Sequence, residues 1–340
     1  MLLAGGGPAT PDPRVLLALT TPIIGQFDPA FTALMDDVMT LARQTFLTSN
    51  ARCLAVSGLA SAGVEALLNS LVEDGDRVAI GGGPRFVAQT AVIARRCGAT
   101  VTSLDEIGAD RTFVKLLVVP LIDLELGQLW PVANLATAAH VSGAKLLVDA
   151  TLGLGAVEYR NDDWHIDACV AGADYAVGAP SGMTLVTYSA DIEALLHARQ
   201  TPPRTSYLDL LQLQAYWSPE RLNHHTAPTS LIYGLREALR YLVADDLTES
   251  WHRHRQTGSE LRKGLTALGL EVSGQGPYAI VHLATDVAEP ELRRRLREDY
   301  AIDVHLVAPR TWRIGLLGAD AQPANVRRIL MSIEKLLHHE

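Results

Sequence analysis

The chain has 340 residues, 48% of them hydrophobic, which is enough for a large buried core and for two or three domains. Its formal net charge of −9 argues against a nucleic-acid or membrane-surface partner. No apolar run reaches the ~18 residues of a membrane span, so no transmembrane helix is expected.

The opening segment, Met1-Leu-Leu-Ala-Gly-Gly-Gly-Pro8, lacks the basic region and apolar stretch of a signal peptide. The cysteines Cys53, Cys97 and Cys169 lie in apolar segments without metal-ligand spacing and read as reduced core thiols. The expected setting is cytoplasmic.

From about residue 50, short apolar runs alternate with helical patterns. Residues 54–56, 77–80, 100–104, 116–119 and 146–149 read as strands, and 60–72, 86–97 and 131–142 as helices between them. Such alternation predicts crossover connections and a mostly parallel sheet covered on both faces. Further strands are expected at 174–177 and 184–188. Helices dominate from 190 to 268, with a long one near 228–245. The tail alternates again: strand 279–283, helix 289–298, strands 302–306 and 312–316, helix 323–337. This predicts an α/β fold in three parts: an N-terminal arm (1–20), a large α/β domain (21–245) and a small C-terminal α+β domain (246–340).

One segment carries more chemistry than the rest. Lys145-Leu-Leu-Val-Asp149 reads as a buried strand ending in an acid, and it is followed by Asp167-Ala-Cys-Val-Ala-Gly-Ala-Asp-Tyr-Ala-Val-Gly-Ala-Pro-Ser-Gly182. An acid at the carboxyl end of a parallel strand stands where open α/β sheets bind ligands. Further on, His224-His225-Thr226-Ala227-Pro228 and Arg313-Ile314-Gly315 stand out, and near the start Gly6-Gly7-Pro8…Pro13-Arg14-Val15 and Ile24-Gly25-Gln26-Phe27-Asp28-Pro29.

In order and spacing these segments resemble the class V aminotransferases, the alanine–glyoxylate and serine–glyoxylate group of fold type I pyridoxal-phosphate (PLP) enzymes. The likeness runs over nearly the whole chain and implies that fold. It also implies roles. Asp149 would pair with the pyridine nitrogen and make the ring an electron sink. Phe86 falls where the family stacks an aromatic on the ring, and Arg313 where it grips the substrate carboxylate. The family runs Asp-x-x-x-Ser-Gly-Ser-Gln-Lys-Ala-x-x-x-Pro-x-Gly around its Schiff-base lysine. That lysine matches Tyr175, whose phenol cannot form an imine, and the preceding glutamine matches Asp174. The remaining lysines, Lys115, Lys145, Lys263 and Lys335, are expected at the amino ends of strands or on late helices, away from the ligand edge.

The phosphate cradle also departs from the family. Ser57, Gly58, Ser61 and Thr226 remain, but Leu59 and Ala60 replace a hydroxyl donor and a glycine, and Asn223 replaces the partner subunit's tyrosine. Asp123 and Glu125, in the loop that the family builds as Gly-Glu-x-Ser-Thr-Gly, join Asp149 and Asp174 in an expected acidic cluster. No metal site is read from it, because Asp-x-Glu is common by chance. Tyr175, Asp174 and Asp149 are the catalytic candidates; Arg313, Asp123, Glu125 and Phe86 are the substrate-binding ones.

These departures lead the sequence reading to an aminotransferase fold that has given up the cofactor, with no PLP and no transamination. It would act on, or bind, a small amino-acid-like or keto-acid-like compound held by Arg313 and the acids. Two alternatives stay open. One is an enzyme that uses PLP or pyridoxamine phosphate without a Schiff base, with Tyr175 or Asp174 as base. The other is an inactive subunit paired with an active paralogue. A homodimer is expected, since fold type I sites draw on both subunits.

Overall fold

The structure is a computed structural model that describes residues 1–104, 113–284 and 288–338. Its centre is a seven-stranded sheet built from β2 (Arg52–Ser57), β3 (Arg77–Ile80), β4 (Thr100–Ser103), β5 (Leu116–Pro120), β6 (Lys145–Asp149), β7 (Ala168–Gly172) and β8 (Met183–Tyr188), in the order β2-β8-β7-β6-β5-β3-β4. The β7–β6–β5–β3–β4 ladders are parallel, and only β8 runs antiparallel to its neighbours. The central strands are buried on both faces and therefore read as unbroken apolar runs. Leu146, Leu147 and Val148 of β6 are fully buried, each contributing about 1.5–3 kcal/mol of burial free energy.

Helices α3 (Ala60–Leu71), α4 (Pro84–Arg96) and α5 (Val132–Val141) make the crossovers between these strands. A proline opens α4, where a missing N–H costs nothing. An earlier pair, α1 (Pro13–Ala18) and α2 (Pro29–Phe46), is started by Asp12 and Asp28, whose side chains accept from Arg14 and Ala30 backbone N–H groups. Helices α6 (Ala190–Ala198), α7 (Leu210–Trp217) and α8 (Thr229–Ala244) follow the sheet, and α8 packs on α2.

A second core gathers Leu261 and Leu265 of α9 (Leu247–Ala267), Trp312 and Ile314 of the tail, and Ile329 and Ile333 of the last helix. Its antiparallel sheet holds β9 (Glu271–Ser273), β10 (Tyr278–His282), β12 (His305–Ala308) and β13 (Thr311–Gly315), in the order β12-β13-β10-β9. Helices α10 (Glu289–Tyr300) and α11 (Pro323–His338) cover it. Leu2 and Ala4 belong to this core: β1 (Leu2–Leu3) pairs in parallel with β11 (Ile302–Asp303). The N-terminal segment is thus stitched to the far end of the chain.

Two sequence expectations shift. The strand expected at 174–177 lies earlier, at Ala168–Gly172, and Tyr175–Gly178 forms a turn. The strand expected at 302–306 splits into β11 and β12, which join different sheets. His254, in the middle of α9, is fully buried. Its Nδ1 donates to the Ser250 carbonyl at 2.7 Å and its Nε2 accepts from the Gly318 N–H at 3.0 Å, so α9 is pinned to the loop before α11 by a neutral imidazole.

Candidate active site

The carboxyl ends of β5 and β6 and the first turns of α3 and α4 enclose a cavity of about 170 Å³. Pro120 and Asp149 come from the strand ends, Ala60 and Ser61 from α3, Phe86, Gln89, Thr90 and Ile93 from one face of α4, and Tyr175 from the turn after β7. The spacing 86, 89, 90, 93 is a single helical stripe.

Asp149 opens on this cavity. Its Oδ1 accepts from the Thr151 N–H at 2.9 Å, and no cation lies in ion-pair range among the described residues. Burial pushes its carboxyl above the ordinary value, with Thr151 opposing only in part. Across the cavity, Leu59 stands at the N-cap of α3 and offers no side-chain acceptor. Ala60 and Ser61 of the first turn of α3 line the cavity, so a helix N-terminus without a side-chain cap stands at its wall.

Arg313, on β13, is 1% exposed. Its Nε donates to the Gly5 carbonyl at 2.9 Å and its Nη1 to the Leu124 carbonyl at 3.2 Å. The Tyr278 ring lies 5.7 Å from its guanidinium carbon. No carboxylate pairs with it among the described residues, and it stands behind the cavity wall, not among the lining residues. Leu124 and Tyr175 line the cavity and also border Arg313. Burial pushes the Tyr175 phenol above its usual value, with Arg313 pulling it back in part. Burial therefore favours the protonated phenol at the cavity wall.

Other expected site residues are committed elsewhere. Asp123 is buried inside its own turn, where Oδ2 accepts from the Gly83 N–H at 2.5 Å and Oδ1 from those of Glu125 and Leu126 at 2.9 and 2.8 Å. It builds the loop and is not free for a substrate. Glu125 accepts from the Arg85 N–H at 3.1 Å, at the first turn of α4, and stays outside the cavity. Asp174 is buried, with Oδ2 accepting from the Ser181 hydroxyl at 2.6 Å. Of the expected phosphate set, only Ser61 lines the cavity. Ser57 ends β2, Gly58 is bonded to Gly182 and Thr184, and Thr226 is exposed beside the Gln26–Asn223 contact. The expected acidic cluster therefore does not form as one group, and among the described residues no three His, Cys, Asp or Glu side chains are arranged for a metal.

None of the chain's four lysines reaches the cavity. Lys115 binds Asp76 at 2.6 Å, Lys145 binds Asp167 and Asp191 at 3.1 and 2.7 Å, and Lys263 and Lys335 stand on α9 and α11. The three thiols are buried and unpaired, and burial pushes Cys53 up to about 12 and Cys97 to about 11. Sequence reading missed Thr151, two residues past Asp149, and the α4 stripe beyond Phe86.

The profile of the class-V aminotransferases matches residues 100–304. The chain belongs to that family. A (S)-ureidoglycine–glyoxylate transaminase of Bacillus subtilis is 31% identical, over 97% of this chain and 89% of that protein. The alanine–glyoxylate aminotransferase of Oryctolagus cuniculus is 30% identical, over 99% and 93%. Among solved structures, the B. subtilis ureidoglycine–glyoxylate aminotransferase superposes with a TM-score of 0.94 at 31% identity, covering 99% of this chain and 92% of that one. An alanine–glyoxylate aminotransferase of Nostoc sp. gives 0.93 at 30%, covering 99% and 95%.

These relatives overturn two expectations. The reading of a chain that works without PLP and outside transamination, or as an inactive subunit, fails against a family whose near full-length relatives are transaminases. The expectation of no cofactor fails for the same reason. The cavity agrees with the correction: an acid without a cation for a protonated ring nitrogen, an aromatic beside it, and a helix N-terminus for a phosphate are the groups such a cofactor needs. Among the described residues, no helix is long and apolar enough to cross a membrane.

Proposed function

We propose that this class-V family member exchanges an amino group between a small amino compound and a 2-oxo acid, with a PLP-type cofactor. One observation carries the reading. Asp149 and Arg313, neither with an ion-pair partner among the described residues, both lie near Tyr175, one suited to a ring cation and the other to a carboxylate. When bound, the cofactor would supply an electron sink for the carbon that gives up its proton.

The rest is the work of this chain. Asp149 would hold the ring nitrogen in its protonated form, oriented by Thr151. Phe86 would stack on the ring, and Ser61 with the α3 N-terminus would bind the phosphate. With no lysine in the wall, these contacts hold the group. Arg313 would orient the substrate through its carboxylate, kept in place by the Gly5 and Leu124 carbonyls. The Tyr175 hydroxyl, which stays protonated, would donate to the bound substrate.

We also infer a homodimer. Ile23, Phe27, Leu59 and Leu222 are exposed apolar side chains. Gln26 ties residues 23–27 to the 222–227 segment by bonding Asn223 and the Ala227 N–H, so much of this surface is continuous.

The test is an exchange reaction. Purified protein with PLP, an amino donor (alanine or serine) and glyoxylate should form glycine well above a protein-free control. Equal rates with and without protein would overturn the proposal.

A further inference from the structure

The turn at 123–126 joins two arginines. On one side, the Leu124 carbonyl accepts from Arg313 Nη1 at 3.2 Å. On the other, the Glu125 carboxylate accepts from the Arg85 backbone N–H at 3.1 Å, and Asp123 holds the Gly83 N–H just ahead of it. Arg85 is therefore fixed at the first turn of α4, next to Phe86 in the cavity wall, with its backbone one residue away across the turn from the group that steadies Arg313. Unlike Arg313, Arg85 is exposed, and no carboxylate pairs with its side chain among the described residues. His305 faces Arg313 directly in the β12–β13 ladder, which puts the two side chains on one face. The Arg85 charge reaches Arg313, Tyr175 and His305 alike. Two guanidinium groups thus lie behind the part of the cavity wall formed by Phe86 and Leu124, next to the Asp123 and Glu125 carboxylates of the turn.

One carboxylate satisfies one buried guanidinium fork. A second, solvent-facing guanidinium without a partner is matched by a second anion on the same ligand. We propose that Arg85 is a specificity-determining residue, and that one of the two exchanging substrates is a 2-amino or 2-oxo dicarboxylate. Its carboxylate beside the reacting carbon lies on Arg313 and its distal carboxylate on Arg85. The inference rests on the amino-exchange reading and narrows its substrate class.

The experiment uses unreactive probes, so that binding is read apart from turnover. Succinate and propionate are titrated calorimetrically into the purified protein, with PLP binding followed separately by absorbance. Wild type should bind succinate at least about tenfold more tightly than propionate. Arg85→Gln should remove that preference by weakening succinate alone, and Arg85→Lys should retain most of it. Equal affinities in the wild type, no binding of either probe, or an Arg85→Gln variant that weakens both probes alike would each overturn the assignment. Loss of PLP binding would instead overturn the amino-exchange reading, so the two failures are distinguishable.

Discussion

Gly7 lies flat on the ring of Tyr175: a Cβ built on Gly7 would fall 2.0 Å from Tyr175 Cε1. Gly6 makes the same approach to Tyr278, with Arg313 Nε 3.3 Å from its missing Cβ. Both glycines have positive φ, +72° at Gly6 and +127° at Gly7. The N-terminal segment after β1 thus runs over Tyr175, a residue of the cavity wall.

Substituting Gly7→Ala should therefore cost stability twice, through a backbone conformation that L residues rarely adopt and through displacement of the Tyr175 ring. We expect a loss of about 1–3 kcal/mol in denaturant unfolding. Tyr175→Ala in the same chain should recover part of it, which a double-mutant cycle measures as coupling. Additive effects would mean that the two residues do not press on each other.

Asp149→Asn should separate stability from binding. Because the folded-state value of Asp149 is raised, the protein without cofactor loses stability as pH rises through that value, and the variant should lack this slope. Cofactor affinity has the opposite sign: the carboxylate is the form that pairs with a protonated ring nitrogen, so affinity should fall as pH drops through the same range. The variant should bind PLP about ten- to a hundredfold more weakly near neutral pH. Absorbance titrations across pH read both effects.

His254 gives a pH dependence that is independent of the active site. Burial lowers its value from 6.5 to about 4, so the folded protein holds fewer protons than the unfolded chain between those values. Stability should be fully present above pH 6.5 and fall as pH drops towards 4, by about 3 kcal/mol. His254→Gln should show a shallower loss in denaturant midpoints measured from pH 7 to 4.5.

Arg313→Lys keeps a charge but loses the fork that holds Gly5, Leu124 and an incoming carboxylate together. We expect KM for 2-oxo acids to rise about tenfold or more with PLP affinity little changed. A parallel loss of PLP binding would place Arg313 in the cofactor's own cradle.

The sequence marked the strands well where a charged residue bounds an apolar run, as in Lys145–Asp149 and Arg77–Ile80. It failed at Ala168–Gly172 because small apolar residues continue unbroken through Val177 and periodicity alone cannot say where the strand leaves the sheet. Asp149 and Phe86, which line the cavity, sit at element boundaries that the sequence marks, whereas Arg313 lies on a buried strand behind the wall. Asp123 was misplaced because its charge suggested a ligand, although an acid followed by free N–H groups two and three residues on is a turn-capping signal. The burial of His254 was not legible because its partner, the Gly318 N–H, is 64 residues away and no helical pattern reveals it. Replacing a lysine by Tyr175 suggested that the cofactor was gone, but the ring-binding groups do not depend on that position.

The most direct measurement is a titration of purified protein with PLP and pyridoxamine 5′-phosphate, read by absorbance and calorimetry. The account predicts micromolar binding with a perturbed cofactor spectrum, weakened by Asp149→Asn. No binding at millimolar cofactor, or binding that Asp149→Asn leaves unchanged, would contradict it.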